Sequence, residues 1–179
     1  MKQFFNSKPH ELKQVLKGYC GICICFCLFF ISFSCNNISK SLTFNQSTEI
    51  KDSVEEMVKL IAEDISHDGP IAWLRYFENS PQFFMASEGQ LVFSNNDSAT
   101  TFIKNILIKQ IRKIDLDWSN IRIDPFTSNF ASIAATWHEE ITDFTDKKIS
   151  QGGYFTAIAE KTIHGWKLRN AHWSVLKSK

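Results

Sequence analysis

The side chains best suited to chemistry lie near the end of the chain, in a segment with the alternating pattern of a β-strand. Over 165–176, Trp166, Leu168, Asn170 and His172 share one face, while Lys167 takes the other. Because the charged side chain lies opposite the aromatic one, we predict that the first face points inward. His172 is then a candidate general base, since a free imidazole has a pKa of about 6.5. It fits equally well as a hydrogen-bonded core histidine.

Two further candidates for acid–base chemistry lie on the preceding strand segments. Over 130–143, Trp137 and Glu139 fall on a mostly apolar face, which we also predict to point inward. A buried glutamate has a raised pKa and suits acid–base catalysis, whereas at a strand end it is simply solvated. Tyr154 could join them from the neighbouring strand. The catalytic candidates are therefore His172, Glu139 and Tyr154.

The run His138-Glu139-Glu140 has the residue types of a metal site but the wrong spacing. Neighbouring residues of a strand point to opposite faces, so the three side chains cannot converge on one ion. The sequence also lacks a Ser-His-Asp set, a Gly-rich phosphate loop and a metalloprotease motif. We predict neither a metal nor a cofactor.

The elements that would position these residues are helices followed by a block of strands. Helical periodicity predicts helices over 49–66, 70–79 and 98–112. Glu88-Gly89 lies between two short apolar runs and predicts a hairpin. Strands are predicted over 115–124, 130–143, 149–161 and 165–176. This order is typical of an α+β domain with helices on one face of an antiparallel sheet.

The first 35 residues have the pattern of a secretion signal. Four lysines precede an uncharged apolar stretch over 19–33, which ends at Ser34-Cys35. This end resembles the lipobox of bacterial lipoproteins, although Ser32 stands where most lipoboxes carry Leu. We predict lipidation at Cys35, a tether over 36–48 and a domain over 49–179. The location would be the bacterial cell envelope, on a membrane. An uncleaved N-terminal anchor and ordinary cleaved secretion are the alternatives.

The distribution of charge limits the kinds of partner, and the positions of the cysteines indicate the compartment. The net charge is +1, yet the basic excess lies in the signal-like segment, so the remainder is mildly acidic and has no basic stripe. This argues against nucleic acid as a partner. The five cysteines fall between residues 20 and 35, which fits a secreted domain without free thiols.

Four pieces of sequence together resemble the NTF2-like superfamily, most closely its SnoaL-like and DUF4440-type branches. They are the segments 69–74, 84–92, 152–154 and 165–174. The resemblance implies a cone, in which a strongly curved sheet wraps three helices and leaves a pocket at the wide end. Members include isomerases, cyclases, dehydratases, protein-association modules and domains without assigned activity. The fold alone therefore does not indicate the function. The last strand carries Asn170 and His172 where the enzymatic members would suggest an acid.

The face assignments and the cone together predict an aromatic-walled pocket for a small molecule. Trp73, Phe77 and Phe84 would roof it. The predicted ligand-binding residues are Trp73, Phe77, Phe84, Trp137, Tyr154, Asn170 and His172. The tryptophans also fit a purely structural role, because aromatic residues dominate small cores.

Three functions follow from this pocket. The first is a lipid-anchored domain that binds a small, largely apolar molecule. The second is an acid–base enzyme of the isomerase, cyclase or dehydratase type, with His172 paired to Glu139 or Tyr154. The third is a protein-interaction module, in which Ala171, Trp173 and Val175 form an outer apolar patch that could also join two copies of the chain.

Overall fold

The longest helix of the domain, α1, spans Phe44–Asp68 in a computed structural model that describes residues 41–176. It begins at a capping box, in which the Thr43 hydroxyl accepts from the Gln46 N–H and the Gln46 side chain accepts from the Thr43 N–H. Residues 44–48, predicted as tether, are therefore helical, and Leu42 already packs against the core. The predicted signal segment, including Cys35, lies outside the described residues. No helix within 41–176 is long and apolar enough to cross a membrane.

The second and third predicted helices are present in altered forms. The second is a 3-10 helix, Gly69–Arg75, with Pro70 in its first turn. The third consists of three consecutive pieces. They are α2 (Asn96–Phe102), a π-helical turn (Ile103–Leu107) and α3 (Ile108–Gln110).

The strands form one curved sheet of six strands. They are β1 (Phe84–Ser87), β2 (Gln90–Phe93), β3 (Ile111–Thr127), β4 (Phe130–Asp143), β5 (Lys148–Thr162) and β6 (Gly165–Val175). Their order is β2-β1-β6-β5-β4-β3, and β1 lies parallel to β6. The α+β class is confirmed, but the sheet is mixed rather than wholly antiparallel. The long chain segment between β1 and β6 permits the parallel pairing, which a tight hairpin would forbid.

The hairpin predicted around Glu88-Gly89 is confirmed. Those two residues have φ values of 49° and 78°, the left-handed conformation that a two-residue turn between twisted strands requires. Gly89 adopts it without steric cost.

The core lies between α1 and the inner face of the sheet. The buried residues of α1 recur at helical spacing and comprise Ile50, Val54, Met57, Val58, Ile61 and Ile65. The Ser66 hydroxyl accepts a hydrogen bond of 3.0 Å from the Leu116 N–H, which ties the end of α1 to β3. Leu168 on β6 is fully buried in this core.

Replacing Leu168 by Ala should cost about 2–5 kcal/mol of unfolding free energy, because a buried leucine loses its burial and leaves a cavity. Ile163, an aliphatic residue five positions earlier, is 95% exposed and provides the matched control. Ile163→Ala should change stability by less than about 0.5 kcal/mol. Urea denaturation measures both, and equal losses would contradict the described core.

Candidate functional site

A cavity of about 350 Å³ opens on the inner face of the sheet. Its polar lining residues are Ser87, Glu139 and Gln151. Its apolar lining comes from the 3-10 helix and the residue Phe77 after it, from α2 and the π-helical turn, and from every strand except β5. These residues are Trp73, Phe77, Met85, Val92, Phe93, Phe102, Ile103, Leu107, Ile111, Ile114, Trp137, Ile141, Trp173 and Val175.

Three tryptophans and a phenylalanine form the aromatic wall of this cavity. Trp73 stacks on Phe77 with ring centroids 5.7 Å apart. Trp173 meets Trp73 edge to face at 5.6 Å and Trp137 edge to face at 4.9 Å. Edge-to-face pairs are favourable because the positive edge of one ring meets the negative face of another. The wall therefore presents ring faces in several directions.

The position of Trp137 depends on a close approach of β5 and β6. Its indole N–H donates to the Ser174 carbonyl at 3.3 Å, and its register partner on β5 is Gly153. A Cβ at Gly153 would lie 1.8 Å from that same carbonyl oxygen, so only glycine fits. The glycine lets the indole reach across β5 to the backbone of β6.

Glu139 and Gln151 face each other across β4 and β5 at the edge of the aromatic wall. The Gln151 amide donates to Glu139 Oε1 at 2.6 Å. Burial raises the pKa of Glu139 above its ordinary value, and the hydrogen bond from Gln151 opposes that rise. Burial thus favours the neutral form of the Glu139 carboxyl group more than water would.

Of the predicted ligand-binding residues, the structure places Trp73, Phe77 and Trp137 on the cavity. Glu139, a catalytic candidate, lies beside them. The predicted inner face of β4 is confirmed, since Ile133, Ala135 and Trp137 are buried at alternate positions.

The inward direction predicted for Asn170 and His172 is wrong. Leu168 and Asn170 pair with adjacent residues of β5, Ala159 and Ile158, so β6 carries a bulge between them. A bulge adds one residue and turns all later side chains to the other face. Asn170 Oδ1 instead accepts from the Ile158 N–H at 3.2 Å, and the His172 side chain is exposed.

The same bulge turns Ala171, Trp173 and Val175 inward, so the outer apolar patch predicted from them is wrong. Trp173 and Val175 line the cavity, and Ala171 is 3% exposed.

Phe84 and Tyr154 also lie away from the cavity. Phe84 is 43% exposed and pairs with Asn170 on β6, while Tyr154 is 47% exposed opposite Ser174. Phe84, Asn170 and His172 line a separate hollow on the outer face of the sheet. The predicted pairing of His172 or Tyr154 with Glu139 is therefore wrong, because proton transfer needs contact directly or through one water.

Two residues of the cavity, Trp173 and Gln151, were not predicted to line it. The signal for Trp173 was present, since an apolar set at 171, 173 and 175 alternates with polar residues directly after Arg169. The signal for Gln151 was the register of the β4–β5 hairpin. Counting outward from the turn at 143–148 places it opposite Glu139.

Solved structures identify this architecture, whereas neither a family model nor a curated protein sequence matches the chain. An NTF2-like superfamily protein from Salmonella enterica serovar Typhimurium LT2 superposes with a TM-score of 0.59 at 16% identity, over 77% of this chain and 96% of that one. A candidate scytalone dehydratase from Novosphingobium aromaticivorans DSM 12444 gives 0.61 at 12% identity, over 70% and 83%. The chain has the NTF2-like fold.

A third structure with this fold is a hexachlorocyclohexane dehydrochlorinase from Novosphingobium barchaimii LL02. Its TM-score is 0.56 at 9% identity, over 70% of this chain and 86% of that one. At these identities the likeness establishes the NTF2-like fold alone.

Thiol labelling should distinguish the two faces of β6. His172→Cys should react with a maleimide in the folded protein, whereas Ala171→Cys should react only after denaturation, because a buried thiol is inaccessible. Peptide mass spectrometry locates the label and separates it from the native cysteines. Rapid labelling at 171 with protection at 172 would disprove the bulge.

Proposed function

We propose that this domain binds a small, largely apolar molecule in the inner cavity. The observation that carries the proposal is the open cavity of about 350 Å³, with an aromatic wall and only three polar lining residues. Small-molecule sites have this size and composition, in which apolar walls supply affinity and a few polar groups fix orientation. Burying a ligand of this kind is favourable by about 25 cal/mol per Å² of apolar surface.

Proteins of the same fold lend support to a small-molecule ligand. Two of the structures that superpose on this chain are named for scytalone and for hexachlorocyclohexane, both small molecules. From these proteins we infer only the size class of the ligand, because the sequence identities are too low to infer a substrate.

An acid–base enzyme is the second candidate, and Glu139 favours it. Its carboxyl group lines the cavity and has a raised pKa, which suits a general acid or base. The candidate ranks second because no other ionisable side chain lines the cavity in the described part of the chain. Among residues 41–176, such chemistry would rest on Glu139 alone.

We also propose that Cys35 carries a lipid that holds the domain on a membrane of the bacterial cell envelope. The support is the sequence pattern, with an apolar stretch ending at Ser34-Cys35. Only eight residues separate Cys35 from the start of α1 at Phe44. Fully extended, they span at most about 29 Å, which would keep the domain close to the bilayer.

A blocked cavity should lose ligand binding while the fold survives. Val92 lines the cavity and is 44% exposed, so Val92→Trp should obstruct it without overpacking the core. The neutral dye N-phenyl-1-naphthylamine, whose fluorescence rises in apolar surroundings, is the probe. Its affinity should fall at least about tenfold in this variant, since the new ring occupies the space of the dye.

Leu91 provides the matched control, because it is 62% exposed and does not line the cavity. Leu91→Trp should bind the dye as the unaltered protein does. Equal dye binding by both variants would contradict the cavity as the binding site.

Cys35→Ala should release the protein from the membrane fraction or stall its processing. Cys23→Ala, a change within the same apolar stretch, should leave membrane attachment intact. Fractionation and mass spectrometry of the mature N-terminus measure both, and a mature protein that begins at Met1 would exclude lipidation at Cys35.

A further inference from the structure

The charge of the cavity is unbalanced. Glu139 is the one ionisable residue among the lining residues that the structure describes, and no lysine, arginine or histidine accompanies it there. Its hydrogen-bond partner, Gln151, is neutral. An ionised carboxylate in apolar surroundings is costly unless an opposite charge approaches it.

The charged groups nearest to this site lie outside the cavity. His138, next along β4, points to the outer face and bonds to the Ser150 hydroxyl at 3.0 Å. Its positive form lowers the pKa of Glu139, though less than burial raises it. Glu140 is exposed, and Glu88 of the β1–β2 turn accepts from the Val175 N–H. Opposite Glu139 on β3 stands Leu116.

The helix that borders the cavity supplies no neutralising charge either. Ile103 and Leu107 line the cavity, whereas Lys104 and Lys109 on the same helical segment are exposed. On the 3-10 helix, Arg75 is already paired with Asp68 at 2.6 Å. The described residues therefore leave the positive partner of Glu139 to come from the ligand.

The aromatic wall is suited to the same positive charge. Trp137 and Glu139 are two residues apart on one face of β4, so their Cα atoms are about 6.6 Å apart. The negative face of an indole ring attracts cations within about 6 Å of its centroid. A cationic group between these two side chains would meet a carboxylate on one side and aromatic rings on the other.

We infer that the cavity selects an organic cation, a molecule with an apolar body and a positively charged nitrogen seated between Glu139 and Trp137. The inference rests on the proposed small-molecule function and names the ligand class. The apolar body fills the aromatic cavity, and the charged nitrogen offsets the desolvated carboxylate. A neutral ligand would leave that carboxylate uncompensated or require it to be protonated.

The experiment compares two probes of nearly equal shape and different charge. Benzyltrimethylammonium is permanently cationic, and neopentylbenzene is its neutral carbon isostere. Each probe competes with N-phenyl-1-naphthylamine on the full chain at pH 7. The cation should displace the dye at a concentration at least about tenfold lower than the isostere, because only the cation gains from the carboxylate and the indole faces.

Glu139→Gln should abolish this preference, because the neutral amide keeps the shape and removes the charge. Binding of the isostere should stay within about twofold. Glu140→Gln removes the same charge from the outer face of the same strand and should retain the preference. Urea denaturation checks that the Glu139→Gln variant folds. Above the raised pKa of Glu139 the variant should be more stable than the parent, since it no longer carries a desolvated charge.

The pH dependence gives a second readout. Benzyltrimethylammonium does not titrate, so any change in its affinity belongs to the protein. Its preference should appear as pH rises through the raised pKa of Glu139 and should be absent in Glu139→Gln. His138→Gln should keep this pH dependence, which separates the carboxyl group from the outer histidine.

Two outcomes overturn the inference. One is an isostere that binds as tightly as the cation. The other is a preference that does not depend on the Glu139 carboxyl group, because it survives Glu139→Gln or stays the same as pH rises from the ordinary pKa of a glutamate. If the dye binds and Val92→Trp blocks it, the proposed cavity function stands whatever the two probes show. If the dye does not bind the unaltered protein, the cavity function fails and the cation inference fails with it.

Discussion

The bulge in β6 determines which side chains meet in the cavity. Directly before it, the backbone of Leu168 bonds to the Tyr76 carbonyl at 2.7 Å and to the Glu78 N–H at 2.9 Å. Directly after it, β1 pairs with residues 170–173 in parallel. Residues 76–78 thus pair with β6 before Arg169, and β1 pairs with it after Arg169. The extra residue lets each of these two segments form its own backbone hydrogen bonds with β6. Without the bulge, Trp173 would point to solvent and the aromatic wall would lose its central ring.

Side chains around the bulge hold it in place. Asn170 accepts from the Ile158 N–H, one of the backbone groups at the irregular step. Arg169 pairs with Glu160 at 2.5 Å and lies 3.5 Å from Glu78, so it joins β6 to β5 and to the segment that follows the 3-10 helix. Asn170, which was predicted to bind a ligand, therefore has a structural role beside the bulge.

The sequence predicted the fold better than the site, for a physical reason. Local patterns are enough to predict the α+β class, the Glu88-Gly89 hairpin and the inward face of β4, because these features depend on regular periodicity or on turn chemistry. The site depends on one inserted residue in β6, and strict alternation fails there because every later side chain changes face. The π-helical turn, which brings Ile103 and Leu107 to the cavity, is likewise a departure from a regular period.

The pairing of β4 with β5 explains why Gly153 and Gln151 stand where they do in the sequence. Gly153 stands opposite Trp137, and Gln151 stands opposite Glu139, so the register that makes room for the indole also supplies the hydrogen bond to the carboxyl group. A shift of this register by one residue would move Trp137 away from Gly153 and would separate Glu139 from its donor. The Trp137 indole and the Glu139 carboxyl group are therefore positioned by the same strand pairing, which provides the rigidity that recognition of a charge beside a ring face requires.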